Sequence, residues 1–109
     1  MKTKQKTAPK HLSREAKALW KSLLNDYCIE DSAGIVILTT ALEAYDTMKS
    51  AEGAIRKEGM TVLDKWQQIK PHPLLTTLRD ARAQFLQGLK ALNLDISPLR
   101  DAPGRPGGK

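Results

Sequence analysis

The fold is decided by residues 32–59, which read SAGIVILTTALEAYDTMKSAEGAIRKEG. Apolar residues recur in this stretch at the three- and four-residue spacing of an amphipathic helix. Glu30, Asp31 and Ser32 supply the side-chain acceptors typical of a helix start, and Gly59 is a natural stop. The stretch therefore predicts one long helix of about 25 residues, around which the rest of the chain must be arranged.

This long helix carries two apolar faces. The first face consists of Ile35, Leu38, Leu42 and Tyr45. The second face consists of Val36, Ile37, Ala41, Ala44 and Met48. Two faces need two partners, and the other helices of the same protomer could cover both. Because only two further helices are visible in so short a chain, we expect the first face to be an interface with a second protomer.

One helix is expected on each side of the long one. Ser13 is a good N-cap for a helix over residues 14–27, with Glu15 in its first turn. Its apolar stripe comprises Ala16, Leu19, Trp20, Leu23, Leu24 and Tyr27. Pro73 suits the first position of a last helix, which Asn93 would cap. The stripe of that helix comprises Leu74, Leu78, Ala81, Phe85, Leu89 and Leu92.

Between the second and third helices, residues 60–70 have a different character. The segment is short, leans towards β-structure, and is bounded by Gly59 and Pro71, so it predicts a small hairpin or an irregular loop. An isolated hairpin is marginal and must pack on the helices or on a neighbour. The predicted fold class is mainly α, a helical hairpin plus a C-terminal helix, with this hairpin or loop between them. The predicted organisation is a flexible basic arm at 1–11, a helical oligomerisation domain at 12–100 and a disordered tail at 101–109.

The net charge of +6 is concentrated at one end of the 109-residue chain. Residues 1–21 contain a single acid, Glu15, whereas the rest of the chain balances eleven bases against eleven acids. The seven bases of this end are Lys2, Lys4, Lys6, Lys10, Arg14, Lys17 and Lys21. A basic arm on a neutral body is typical of nucleic-acid binding, although a solubilising tail has the same composition. We take the seven bases as the candidate nucleic-acid-binding residues.

Groups for catalysis are scarce. His11 and His72 are the only histidines, and neither has Cys, Asp or Glu at metal-ligand spacing. No G-x-x-x-x-G-K-[ST] run is present. We therefore predict a binding protein rather than an enzyme, with no catalytic residues, no metal and no cofactor. Cys28, the single cysteine, is expected to be a small buried hydrophobe.

Neither a secretory signal nor a membrane span is expected. No apolar core follows the lysine-rich start, and the longest uncharged run, Ser32 to Leu42, is well short of the ~18 apolar residues that span a bilayer. We therefore expect a protein of the cytoplasm.

Four stretches, taken in order, resemble the small terminase subunit of tailed bacteriophages. They are PKHLSREAKALW at 9–20; ALEAYD at 41–46 with GMTV at 59–62; QIKPHPL at 68–74; and RDAR at 79–82 with FL at 85–86 and LNLDISP at 92–98. The resemblance covers residues 9–100. Family members more often have Gly where this chain has Asn93, and Asn tolerates the same cap conformation. Many also begin with a helix-turn-helix, whereas one helix precedes the long one here, so the mode of DNA contact stays open.

The resemblance implies a role in viral genome packaging. Small terminase subunits form rings, recognise the packaging-initiation region of double-stranded viral DNA, and recruit and regulate the large terminase subunit, which carries the ATPase and nuclease. By this resemblance the basic residues would face DNA phosphates, and the helix over 35–55 would form the ring interface. The protein would act in the host cytoplasm. The tail with Arg100, Arg105 and Lys109 could contact the large subunit. The alternatives are a structural head-assembly or connector protein, which has less need of a lysine arm, and a small dimeric DNA-binding regulator.

Overall fold

The computed structural model describes residues 7–93. They form three helices and one two-stranded antiparallel sheet. In chain order the elements are α1 (Arg14–Asp26), α2 (Ser32–Glu58), β1 (Thr61–Leu63), β2 (Ile69–Pro71) and α3 (Leu74–Ala91). The prediction of a mainly helical chain is confirmed, and of the two alternatives for residues 60–70, a hairpin or an irregular loop, the structure has the hairpin. The predicted tail at 101–109 and residues 1–6 of the predicted arm lie outside the described residues.

The starts of α1 and α2 are the ones that the caps predict, whereas α3 begins at Leu74, one residue after Pro73. The Ser13 hydroxyl accepts a hydrogen bond of 3.0 Å from the Ala16 N–H, and the Asp31 carboxylate accepts one of 3.0 Å from the Gly34 N–H. Each bond satisfies one of the orphan N–H groups of a first turn. α2 ends where the chain reaches Gly59 at φ 92°, a conformation that glycine adopts without strain.

The turn between α1 and α2 corrects the prediction for Cys28, which is exposed and not buried. α1 ends in a Schellman motif, in which the Ile29 N–H bonds to Leu24 O at 3.1 Å and the Cys28 N–H bonds to Asn25 O at 3.4 Å. Cys28 takes the left-handed position of this motif, with φ 49°. It therefore lies on the outside of the turn, while the next residue, Ile29, enters the core.

α2 is the central element, and both other helices pack on it. Trp20 of α1 and Leu38 and Leu42 of α2 are the largest fully buried side chains among the described residues, and Phe85 and Leu89 of α3 complete the same core. The backbones of α2 and α3 approach closely at Gly88, where an added Cβ would lie 2.8 Å from the Ala41 Cβ. Helix pairing of this kind buries α2 along most of its length.

The hairpin projects from the end of α2 where α3 begins. Its register pairs Thr61 with Pro71, Val62 with Lys70, and Leu63 with Ile69. The loop is tight because the Asp64 carboxylate accepts hydrogen bonds from two backbone N–H groups, those of Trp66 and Gln68. Gln67 supplies the left-handed residue, φ 65°, that a three-residue hairpin loop requires.

Candidate DNA-contacting and assembly surfaces

Three of the seven candidate DNA-binding residues lie on one side of α1, and a fourth, Lys10, lies in the turn just before this helix. Lys10, Arg14, Lys17 and Lys21 are separated by four, three and four residues, which places the three helical ones within about 60° of arc on one side of the helix. Lys10, Arg14 and Lys21 are exposed, and Lys17 is half-buried. We call these four residues the α1 basic stripe. Lys2, Lys4 and Lys6 lie outside the described residues.

The α1 basic stripe is electrostatically uncompensated. Within residues 7–93 no ion pair involves any of its four members. From Arg14 to Lys21 the stripe extends about 10 Å, a length over which duplex DNA carries roughly six phosphate charges. Because these bases have no acidic partners, they can bind phosphate without breaking an ion pair within the protein. This side of α1 can therefore contact the phosphate backbone of DNA.

α1 is held on the body at three points, so the stripe has a fixed orientation. The Trp20 indole N–H donates to Thr39 Oγ1 at 3.2 Å, and the Ser13 N–H donates to Asp46 Oδ2 at 2.8 Å. His11 Nε2 lies 2.7 Å from Glu43 Oε2. All three acceptors are on α2. Ala8 and Leu12 are buried in the core, so the described end of the predicted 1–11 arm is already packed on the helices.

The predicted interface face of α2 is covered by the protomer itself. Leu38 and Leu42 have no exposed surface, while Ile35 and Tyr45 are half-buried. The Tyr45 ring lies 5.3 Å from that of Phe85, and the pKa of Tyr45 is raised by burial and next by the negative charge of Glu15. α1 and α3 are together wide enough to cover this face. An interface through Ile35, Leu38, Leu42 and Tyr45 stays a prediction that would require those helices to move aside.

The hairpin carries an apolar surface that the sequence reasoning missed. Four large hydrophobic side chains are mostly exposed there: Met60 at 66%, Leu63 at 58%, Trp66 at 69% and Ile69 at 75%. We call them the hairpin face. Leu63 and Ile69 are directly opposite each other, so they share one side of the sheet, and Val62 is the half-buried residue of the other side. The signal available in the sequence was five apolar residues within residues 60–70, a unit too small to bury them.

Basic residues border the hairpin face. The Lys65 ammonium lies 4.8 Å from the centroid of the Trp66 ring. Arg56 and Lys57 are in the last turn of α2, and Arg56 lines a cleft together with Met60. Lys70 is on β2 opposite Val62, on the other side of the sheet from Leu63 and Ile69. None of these four bases forms an ion pair within the described part of the chain, and exposed apolar residues bordered by uncompensated bases are typical of a binding surface.

His72 fixes the hairpin between α2 and α3. The Leu74 N–H donates to His72 Nδ1 at 3.0 Å, so the ring proton is on Nε2, which donates to Glu58 Oε1 at 2.6 Å. The backbone N–H of His72 also donates to Met60 O at 2.8 Å. This buried side chain has a structural role that accounts for its position between two prolines.

Between residues 7 and 93 no three His, Cys, Asp or Glu side chains gather closely enough to hold a metal ion. A cleft of about 330 Å³ beside the hairpin is lined by Glu52, Ile55, Arg56, Met60 and Leu78. Over the same range no helix is both long and apolar enough to cross a membrane.

Comparison with known proteins gives one match. The model of a family described as phage terminase, small subunit, matches residues 16–101. No curated protein and no solved structure matches the chain. The matched range contains α2, the hairpin, α3 and all but the first two residues of α1. Lys17 and Lys21 of the α1 basic stripe lie inside it.

Proposed function

Because the chain belongs to the phage terminase small-subunit family, whose role is in phage DNA packaging, we propose that it is the DNA-binding adaptor of a packaging complex. In this proposal it binds double-stranded viral DNA in the host cytoplasm and recruits and regulates the large terminase subunit, which supplies ATPase and nuclease activity. It works as a ring-like homo-oligomer and is not itself an enzyme.

The observation that carries the DNA-binding part is the α1 basic stripe. Lys10, Arg14, Lys17 and Lys21 extend the lysines of residues 2–6 onto one side of a helix whose orientation is fixed. Phosphate contacts from such residues give affinity with little sequence information. An oligomer multiplies the effect because several stripes can engage one duplex at once.

The test compares two variants that lose equal charge. Lys17→Gln with Lys21→Gln removes half of the α1 basic stripe, whereas Arg79→Gln with Lys90→Gln removes two exposed bases of α3. Fluorescence anisotropy with duplex DNA is measured over a series of salt concentrations. We expect the stripe variant to bind more weakly at low salt, and the slope of log affinity against log salt to fall by about 2 per engaged protomer.

The α3 variant is the control for net charge. It should bind DNA nearly as the natural chain does, since its bases lie on a different helix. Equal losses in the two variants would contradict the proposal, because only the total charge would then matter.

The recruiting role has its own readout. Mixed with a large terminase subunit, the protein should change the rate of ATP hydrolysis by that subunit, while the repurified protein alone should hydrolyse no ATP. ATP turnover by this chain alone that survives repurification would overturn the adaptor proposal.

A further inference from the structure

Among residues 7–93, the exposed large hydrophobic side chains fall near the two ends of α2. Four form the hairpin face, next to the C-terminal end of α2. The other two, Tyr27 at 42% and Val36 at 63% exposed, lie near its N-terminal end. The two ends are separated by a helix of 27 residues, which is about 40 Å long. The described part of one protomer therefore exposes apolar side chains at two well-separated places.

These two ends carry opposite charge. Residues 25–36 contain three acids, Asp26, Glu30 and Asp31, and no base. All three are exposed, and none forms an ion pair with another described residue. We call these acids, with Tyr27 and Val36, the acidic corner.

At the hairpin end, residues 56–70 contain four bases and two acids. Glu58 and Asp64 accept hydrogen bonds, as Asp31 does at the other end, but a hydrogen bond does not remove the charge of a carboxylate. The formal net charge is therefore +2 over residues 56–70 and −3 over residues 25–36, so the hairpin end attracts a negative surface and the acidic corner a positive one.

We propose that the hairpin face of one protomer docks on the acidic corner of a second copy of this chain. The inference rests on the proposed oligomer and assigns its contact. Apolar side chains meet at the centre, and the bases at the hairpin rim oppose Asp26 and Glu30. Two different surfaces are joined, so the contact is head-to-tail, the kind that closes into a ring when the rotation per subunit permits.

Charge argues against the simplest alternative, in which two hairpins pair with each other. That arrangement would place the rim bases of one protomer, such as Arg56 and Lys65, against the same bases of its partner. Like charges brought together across an interface oppose association. Head-to-tail docking opposes unlike charges at both ends of every subunit.

The experiment uses the full chain and two variants. The hairpin variant carries Trp66→Ser and Ile69→Ser, and the corner variant carries Tyr27→Ser and Val36→Ser. All four side chains are exposed, so circular dichroism should show both variants folded. The control, Thr40→Ala with Ser50→Ala, alters two exposed positions of α2 outside both surfaces. Mass is measured by light scattering at equal concentrations.

We expect the natural chain and the control to be large oligomers and each variant alone to be a monomer. An equimolar mixture of the two variants should give a dimer and nothing larger, because a single productive contact remains.

Variants that keep full mass would overturn the inference but leave the oligomer intact, and the hairpin face would then serve another partner, such as the large subunit. A corner variant of full mass beside a monomeric hairpin variant would overturn it in favour of hairpin pairing. A monomeric natural chain would overturn both the inference and the proposed ring, while DNA binding by the α1 basic stripe would still be testable.

Discussion

Two glycines inside helices have opposite surroundings. Gly88 of α3 faces α2, where a Cβ would lie 2.8 Å from that of Ala41, whereas Gly53 of α2 has nothing within 4 Å of the position of a Cβ. Gly88→Ala should therefore force the two helices apart and lower the free energy of unfolding by about 1–3 kcal/mol. Gly53→Ala should raise it by roughly 0.5–1 kcal/mol, since alanine is the better helix former. Urea unfolding of the two variants gives the comparison, and a neutral Gly88→Ala would mean that the α2–α3 approach is looser than described.

His72 shows what a short motif can and cannot reveal. A histidine between two prolines, as in KPHP at 70–73, is typical of a turn or helix start, and the structure adds that the His72 ring accepts from the Leu74 N–H and bonds to Glu58. His72→Ala leaves that N–H without its acceptor in a part-buried place, so we expect a loss of about 1–3 kcal/mol in urea unfolding. Glu58→Gln is the control, because an amide oxygen still accepts from Nε2. It should cost clearly less, and equal losses would assign the effect to Glu58.

At the scale of elements, the helix bounds were predictable and the partners of the helices were not. Ser13, Asp31 and Gly59 mark their termini by local chemistry, which acts within a few residues of the chain. Periodicity placed Leu38 and Leu42 on one face of the helix. The same periodicity is expected whether that face packs on helices of its own protomer or on a second protomer. The prediction that Cys28 is buried was wrong for a related reason, because its exposure follows from the Schellman turn and not from its residue type.

Leu42→Glu separates the two interpretations of the α2 face. Leu42 has no exposed surface inside the single protomer, so an unpaired charge there should cost several kcal/mol and unfold it. Thr40→Glu, at an exposed position two residues earlier, should change stability by no more than about 0.5 kcal/mol. Thermal melts followed by circular dichroism make the measurement. A folded Leu42→Glu protein of reduced mass would instead support an interface through Ile35, Leu38, Leu42 and Tyr45.

At the scale of the whole molecule, charge could be located from the sequence, but its arrangement could not. The sum over residues 1–21 identified the basic end, and helical spacing was enough to place Arg14, Lys17 and Lys21 on one side. The hairpin face could be found only from the structure. The register of the hairpin puts Leu63 and Ile69 on the same side of the sheet, and the position of the hairpin at the end of α2 leaves that side exposed to solvent. That a basic and an acidic segment lie at opposite ends of the protomer likewise follows only from the structure, in which α2 separates them.

The lysines before residue 7 can be tested without disturbing the core. Deleting residues 2–10 would also remove Ala8, which is buried, so Lys2, Lys4 and Lys6 are better replaced by glutamine. Each lysine that engages duplex DNA contributes about 0.9 to the slope of log affinity against log salt, so losing three should flatten it by up to about 3 per engaged protomer. Binding at low salt should weaken, whereas the mass in solution should not change, because the apolar surfaces are untouched.

The opposite result would also be informative. Unchanged affinity and slope in the triple variant would make these lysines a solubilising tail. The DNA surface would then be confined to the described residues, where the α1 basic stripe is the first candidate. If Lys17→Gln with Lys21→Gln also left the affinity for DNA unchanged, the remaining candidates would be bases of the other helices. These are Lys49, Arg56, Lys57, Arg79 and Arg82. Two of these, Lys49 and Arg82, share Glu52 as an ion-pair partner, so a phosphate would have to displace that carboxylate. The uncompensated stripe has no such competitor, and for that reason we expect DNA to be bound there.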